Sequence, residues 1–322
     1  MKFAIDDQQR DFTASIDAAL GAADAPGAAR AWAEGDTGPG RMVWATLTDL
    51  GVTALAVPEE FGGLGAHPVD LAIALERLGR WCVPGPVTES IAVAPILLGF
   101  HPERAQRCAR LASGELIATV ALPPLVPRAV DADFAGLILR GQGYGVSDAI
   151  AGERHESIDP TRRLSDVTAT GTAHPAEVGR SYEFGVLATA AQLIGGGQRL
   201  LDMSVEYAKQ RRQFGRLIGS YQAIKHKLAD VHIALEMARP LLYGAALALA
   251  DNSPDVPRDV SAAKVAASDA ALLAARSALQ THGAIGFTAE HDLSLWLLRV
   301  QALHSAWGDP ASHRHRVLKA LS

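Results

Sequence analysis

Apolar residues recur at steps of three and four along most of this chain, and the steps break where glycine and proline cluster. That pattern predicts amphipathic helices separated by turns. In residues 1–115 it predicts helices near 5–22, 41–50, 69–82 and 86–99. From 116 to 178 the texture changes: short apolar runs such as Leu116–Leu122 and Leu137–Leu139 alternate with proline, glycine and aspartate, which suits strands and turns. Beyond that, residues 180–213 predict a long apolar helix with Phe184, Leu187, Ala191, Ile194 and Leu200 facing inward, interrupted by Gly195–Gly197. Three glycines cost a helix about 1 kcal/mol each relative to alanine, so close approach of a neighbouring helix or ligand must recover it. Residues 220–251 give a second helix with Ile224, Leu228, Val231, Leu235 and Ala238 on one face. A third spans 258–283 on a spine of Ala262, Val265, Ala266, Ala270 and Leu273, and Asp309-Pro310 opens a last one. The expected fold is mainly α with a small β insert: an N-terminal helical domain (1–115), a middle β domain (116–178) and a C-terminal four-helix bundle (179–322).

Composition narrows the function classes. With 322 residues, 48% of them hydrophobic, the chain can bury two or three cores, and no apolar run of membrane length stands out. The start, Met1 to Phe12, is acidic and has no apolar signal core, so the expected location is the cytoplasm. A net charge of −5 and scattered aromatics argue against nucleic-acid binding. Cys82 and Cys108 have no partner at metal-ligand spacing and read as buried thiols.

Candidate chemistry concentrates in one basic stretch. Between Glu206 and Asp230 no carboxylate occurs, while Lys209, Arg211, Arg212, Arg216, Lys225 and Lys227 all do. Gly215 and Gly219 interrupt the helical pattern, and Ser220 is placed to cap the next helix. An anion belongs where one helix ends and another begins in a positive field, and the arginine fork can hold a phosphate by two parallel bonds. Two further punctuated segments are the glycine-rich loop Ala-Val-Pro-Glu-Glu-Phe-Gly-Gly-Leu-Gly at 56–65 and the turn Leu-Gln-Thr-His-Gly-Ala-Ile-Gly-Phe-Thr at 279–288.

The string Arg-Arg-Gln-Phe-Gly-Arg-Leu-Ile-Gly-Ser-Tyr-Gln-Ala-Ile-Lys-His-Lys-Leu-Ala-Asp (211–230) resembles the C-terminal signature of acyl-CoA dehydrogenases. The 56–65 loop resembles a loop near that family's acyl pocket. The Gln280 turn resembles its Gln-x-x-Gly-Gly-x-Gly segment, with Ala284 at the second glycine. The resemblance spans nearly the whole chain and implies FAD as cofactor, an acyl-CoA substrate, an electron-transfer flavoprotein as acceptor, and α,β-dehydrogenation as the reaction. It further implies cofactor contacts at Arg211, Phe214, Gly215, Gln222, Gln280, Gly283 and Ala284, several of them reaching FAD bound mainly by an adjacent subunit.

The departures matter as much. The middle domain is about half the family's usual length, contains no tryptophan, and lacks the hydroxyl-bearing strand expected beneath the flavin ring; Asp159-Pro160-Thr161-Arg162-Arg163 still resembles the family's late β segment. The family's glutamate base occupies one of two positions, and counting onto this sequence puts Gly185 at one and Gly308 at the other. Glu183 and Asp309 lie close enough that a small gap would restore a base; otherwise they are a helix-start acid and an N-cap. The expectation is therefore a heteromeric dehydrogenase, α2β2, with this chain the shorter subunit completing the FAD site of a longer one. The chain resembles the shortened subunits of actinobacterial steroid-degrading dehydrogenases. The alternatives are a self-sufficient homotetramer, or a non-catalytic scaffold that binds acyl-CoA.

Overall fold

Residues 5–288 and 291–322 are described by a computed structural model. Met1–Ala4, the first residues of the start read as acidic, and Ala289-Glu290 lie outside the described residues.

Caps set the N-terminal helices. Asp6 and Gln9 form a capping box at α1 (Asp7–Ala22), and Asp24 accepts from Gly27 N–H at α2 (Ala25–Ala33). Then come α3 (Gly38–Asp49), α4 (Pro68–Arg80), a π-helical turn (Thr88–Val93) continuing into α5 (Ala94–Leu97), and α6 (Arg104–Ala112). Helices α2 and α6 escaped the sequence reading because both are short; α2 also carries Pro26 and Gly27, which read as punctuation yet are tolerated in a first turn. Strands β1 (Ala118–Ala121), β2 (Ala129–Val130), β3 (Leu137–Gln142), β4 (Gly145–His155) and β5 (Leu164–Pro175) form one sheet in the order β1-β3-β4-β5-β2, with only the β1–β3 pair parallel.

The C-terminal part is α7 (Val178–Gln210), α8 (Gln222–Ala250), α9 (Val256–His282), α10 (Leu293–Ser305) and α11 (Pro310–Leu321). The expected break at Gly195–Gly197 does not occur: α7 runs straight through. Helix contact explains the glycines. A Cβ on Gly195 would lie 2.8 Å from Arg80 N, and one on Gly79 of α4 only 2.5 Å from Gln192 Cα, so α4 and α7 touch backbone to backbone. Gly197 likewise faces Leu235 of α8 and Ala271 of α9.

The α9 spine shifts from the expected one. Val260, Ala263, Ala267, Ala270, Ala271 and Ala274 are buried, while Leu273 is exposed. Alanine surrounds this helix on all sides, so hydropathy carries little contrast from one face to the next. The membrane expectation also needs correction. Helix α8 is long and apolar enough to cross a membrane by length and composition, although Val231, Leu235, Ala238 and Leu242 pack it into the bundle. Cys82 and Cys108 are free, buried thiols.

One side chain joins all three parts of the molecule. Arg299 of α10, 2% exposed, donates to Asp159 Oδ2 (2.6 Å) and Thr161 Oγ1 (2.7 Å) beside the sheet, and to Val83 O (3.0 Å) after α4. An ion pair this deeply buried costs about 3–5 kcal/mol to break by removing one partner.

Candidate functional site

The basic stretch folds into a hairpin. Helix α7 ends at Arg211, which is extended, and β6 (Arg212–Gln213) pairs with β7 (Arg216–Leu217) across Phe214-Gly215. Both turn residues have positive φ, 52° and 79°, as a two-residue turn matched to strand twist requires. The Arg216 guanidinium sits over the Tyr221 ring (3.9 Å), and Tyr221 donates its hydroxyl to Gln213 O (3.2 Å), fixing the loop. Ser220 does not cap α8. Its hydroxyl donates to Leu217 O, and Tyr221 is the N-cap, without a side-chain cap bond.

Arg211, Arg212, Phe214, Gly215, Arg216 and Gln222 are all exposed, and among the described residues none of these arginines pairs with a carboxylate. The α9 end meets this hairpin's parent helix. The Tyr207 ring stacks on His282 at 4.4 Å, and His291 packs edge-on against His282. Burial holds the His282 imidazole below its usual range, so it is neutral at neutral pH. Gln280 accepts from Lys227 Nζ of α8, linking the turn to the positive stretch. Gly283 ends α9 at φ +66°, with Gly283 and Ala284 exposed. The sequence-predicted anion contacts thus fall at neighbouring helix ends, and donors of this kind fit a pyrophosphate.

The two acid candidates line one cavity of about 950 Å³ with Tyr182, Gly308 and Arg316. Glu183 pairs with Arg316 through Oε1, and its Oε2 has no partner. Burial raises this carboxyl above its ordinary value against the opposing pull of Arg316. Asp309 caps α11, accepting from Ser312 N–H at 2.7 Å, and that bond holds it below the usual carboxylate range.

Trp307, which the sequence reading passed over, closes the space beside Gly185, and His313 and Tyr182 close that beside Gly308. An added Cβ at Gly185 would come closer than 3.0 Å to three atoms of the Trp307 ring, and one at Gly308 would sit 2.6 Å from His313 Nε2. Neither position admits a glutamate without rebuilding. Trp307, itself at φ +58° and 2% exposed, is held from several sides. Its indole N–H donates to Glu89 Oε1 (3.2 Å), and its carbonyl accepts from Tyr182 Oη–H (3.1 Å) and His313 Nε2–H (2.9 Å). Burial pushes His313 down to about 4, leaving it a neutral imidazole that takes the Ser261 hydroxyl at Nδ1. The signal was one large aromatic next to a glycine, too small to separate from ordinary core.

Between the sheet and the end of α10 a cavity of about 350 Å³ remains, lined by Leu125–Arg128, Glu156–Ile158 and Trp307 among others. Trp307 forms one wall of this cavity and packs over Gly185, narrowing the space for a tricyclic flavin ring, whereas the exposed arginines of the hairpin and the exposed α9 turn are donors of the kind an anionic diphosphate accepts. The residues present therefore fit FAD better at the phosphates than at the ring.

A large helical bundle with a small sheet and exposed basic helix ends is the frame in which the comparisons place the chain. The acyl-CoA dehydrogenase N-terminal domain family matches residues 6–115, and its C-terminal domain family matches residues 181–322. The chain is 34% identical over 277 residues to acyl-CoA dehydrogenase IpdE2 of Mycobacterium tuberculosis, covering 85% of each. It superposes on the ChsE4-ChsE5 complex of Mycobacterium tuberculosis with TM-score 0.86 at 23% identity, covering 100% of this chain and 99% of that one. It also superposes on a variant of the steroid ACAD Tcur3481-Tcur3483 with TM-score 0.84 at 21% identity, covering 98% and 97%. The chain belongs to the acyl-CoA dehydrogenase family, oxidoreductases acting on acyl-CoA with FAD as cofactor.

Proposed function

We propose that this chain is the shorter subunit of a heteromeric, α2β2 acyl-CoA dehydrogenase and that its C-terminal helix ends complete the FAD site of a longer partner. The observation carrying this reading is Trp307 packed over Gly185, where a base would stand, together with an exposed basic hairpin, with no carboxylate of its own, at the other end of α7. FAD, when bound in the assembled enzyme, would supply the acceptor for a hydride from the β carbon. This chain contributes position and charge: Arg211 and Arg212 donate to phosphate oxygens, Gly215 lets the backbone approach closely, and Gln280 with the Gly283-Ala284 turn faces the same anion. The partner supplies the base for the α proton.

A partner-binding face supports the assembly. Ile233, Met237 and Leu241 lie one turn apart on α8 and are 58%, 69% and 45% exposed, and Phe214 is 92% exposed. The acyl group is steroid-derived on the likeness to a steroid ACAD. The acceptor is an electron-transfer flavoprotein, the location cytoplasmic, and the domains divide near residues 115 and 178.

The test is co-expression with a longer family member, followed by kinetics. Glu183→Gln and Asp309→Asn in this chain are expected to leave kcat unchanged, while removing the partner's glutamate abolishes turnover. A collapse of kcat in Glu183→Gln would instead favour a self-contained site, the reading suggested by the raised Glu183 carboxyl with its unpartnered oxygen.

A further inference from the structure

Five charged side chains gather where the sheet, α2 and α10 meet. Arg299 pairs with Asp159, and Arg163 pairs with Asp131, which also accepts from the Trp32 indole. Arg162 is left over. It is only 4% exposed, yet among the described residues no carboxylate lies within ion-pair distance of it and its guanidinium makes no hydrogen bond. The nearby Cys82 thiol cannot balance it, because burial pushes that thiol up to about 11 and keeps it neutral. Its charge reaches Asp131 and Asp159 only through space, and folded proteins ordinarily give a guanidinium this far buried a hydrogen-bonded partner.

The missing partner has a place to sit. Arg162 lines the cavity of about 350 Å³ beneath Trp307 and also an adjoining hollow of about 540 Å³. The first has an apolar wall of Val130, Leu164, Ala302 and Trp307, and Arg128, Ser157 and Ser305 on its polar side. Two carboxylates also line it: exposed Glu156, and Glu89, which holds the Trp307 indole through Oε1 while its Oε2 has no partner. A buried guanidinium without an ion-pair partner, facing a cleft of this size with an apolar wall, matches a small ligand with a hydrocarbon body and one anionic end.

We propose that this cavity is a binding site for a small hydrophobic carboxylate, whose carboxylate accepts from the Arg162 guanidinium while its hydrocarbon part packs on Val130, Leu164, Ala302 and Trp307. The inference rests on the reading that Trp307 closes this space to the flavin ring. The space that a flavin ring would need is then reused for a ligand that does not react.

The probe is sodium cyclohexanecarboxylate, titrated calorimetrically into the full chain, with cyclohexylmethanol as its neutral counterpart and inorganic phosphate as an anion without a hydrocarbon body. The carboxylate is expected to bind once per chain, about tenfold to hundredfold more tightly than the alcohol, with phosphate weaker still. Arg162→Met should erase the preference for acid over alcohol and raise the thermal midpoint of the ligand-free protein, since it removes an unpaired buried charge. Arg162→Lys, which keeps the charge, should retain the preference and serves if the methionine variant fails to fold. Equal binding of acid and alcohol by the unaltered chain, unchanged acid binding in Arg162→Met, loss of the preference in a folded Arg162→Lys, or phosphate binding as tight as the acid would overturn the proposal. Flavin absorbance in the same unaltered sample would refute the half-site reading separately, and the titration would still decide this one.

Discussion

Replacing Gly185 by alanine is a one-methyl test of whether Trp307 fills the place of a base. An exposed or loosely packed helical glycine gains about 1 kcal/mol on conversion to alanine. Here the new methyl would meet three indole atoms at less than 3.0 Å, and the indole cannot swing aside without losing its bond to Glu89. Overpacking a tight core costs about 1–3 kcal/mol, and contact this close belongs at the upper end, so the net effect in the native chain is a loss of about 2 kcal/mol. In a Trp307→Ala background, itself about 3–5 kcal/mol less stable, the clash is gone and the same alanine should stabilise by about 1 kcal/mol. The sign reverses, and the coupling is about 3 kcal/mol. Urea unfolding of the four proteins of this cycle measures it. Stabilisation by Gly185→Ala in the native background would refute the placement of Trp307 and reopen the base position.

Other consequences follow from the same geometry. Arg211→Ala in the assembled enzyme should weaken FAD retention about tenfold to hundredfold by equilibrium dialysis, the worth of one charge-assisted contact; unchanged affinity removes the hairpin from the site. Gly195→Ala should destabilise by at least about 2 kcal/mol in a thermal or denaturant melt, because the new methyl meets Glu76 and Arg80 backbone rather than a side chain that can yield. Lys264 is buried in α9, donating to Leu303 O and His304 O at the end of α10, and burial lowers it from 10.5 to about 7. Its folded value lies below its unfolded one, so the penalty on the charged form is fully present below about pH 7 and is relieved as pH rises toward 10.5. The denaturant midpoint should therefore climb through that window, by at most about 5 kcal/mol of stability, and Lys264→Met should flatten the climb.

Long periodic segments were legible before any coordinates. The α7 face through Phe184, Leu187, Ala191, Ile194 and Leu200 is buried as the spacing required, and the reading of Gly195–Gly197 as a helix contact was right although the expected interruption was wrong. The basic stretch, the Gln280 turn and the Asp309-Pro310 helix start could be read because charge and capping residues are local signals. The α9 register could not, since alanine on every face blurs the moment. Ser220 misled because a capping residue type beside a helix start does not decide which residue makes the bond. Trp307 and Glu89 were invisible for a different reason. They act through each other across 218 positions, as Arg299 does through Asp159 across 140, and no local pattern encodes such pairs.

The most direct test of the half-site claim is the visible spectrum and molar mass of this chain purified alone, then again after assembly with a longer family member. A colourless chain that acquires flavin only as a heteromer agrees with Trp307 closing its own ring site. Stoichiometric flavin in a homotetramer of this chain alone would contradict it.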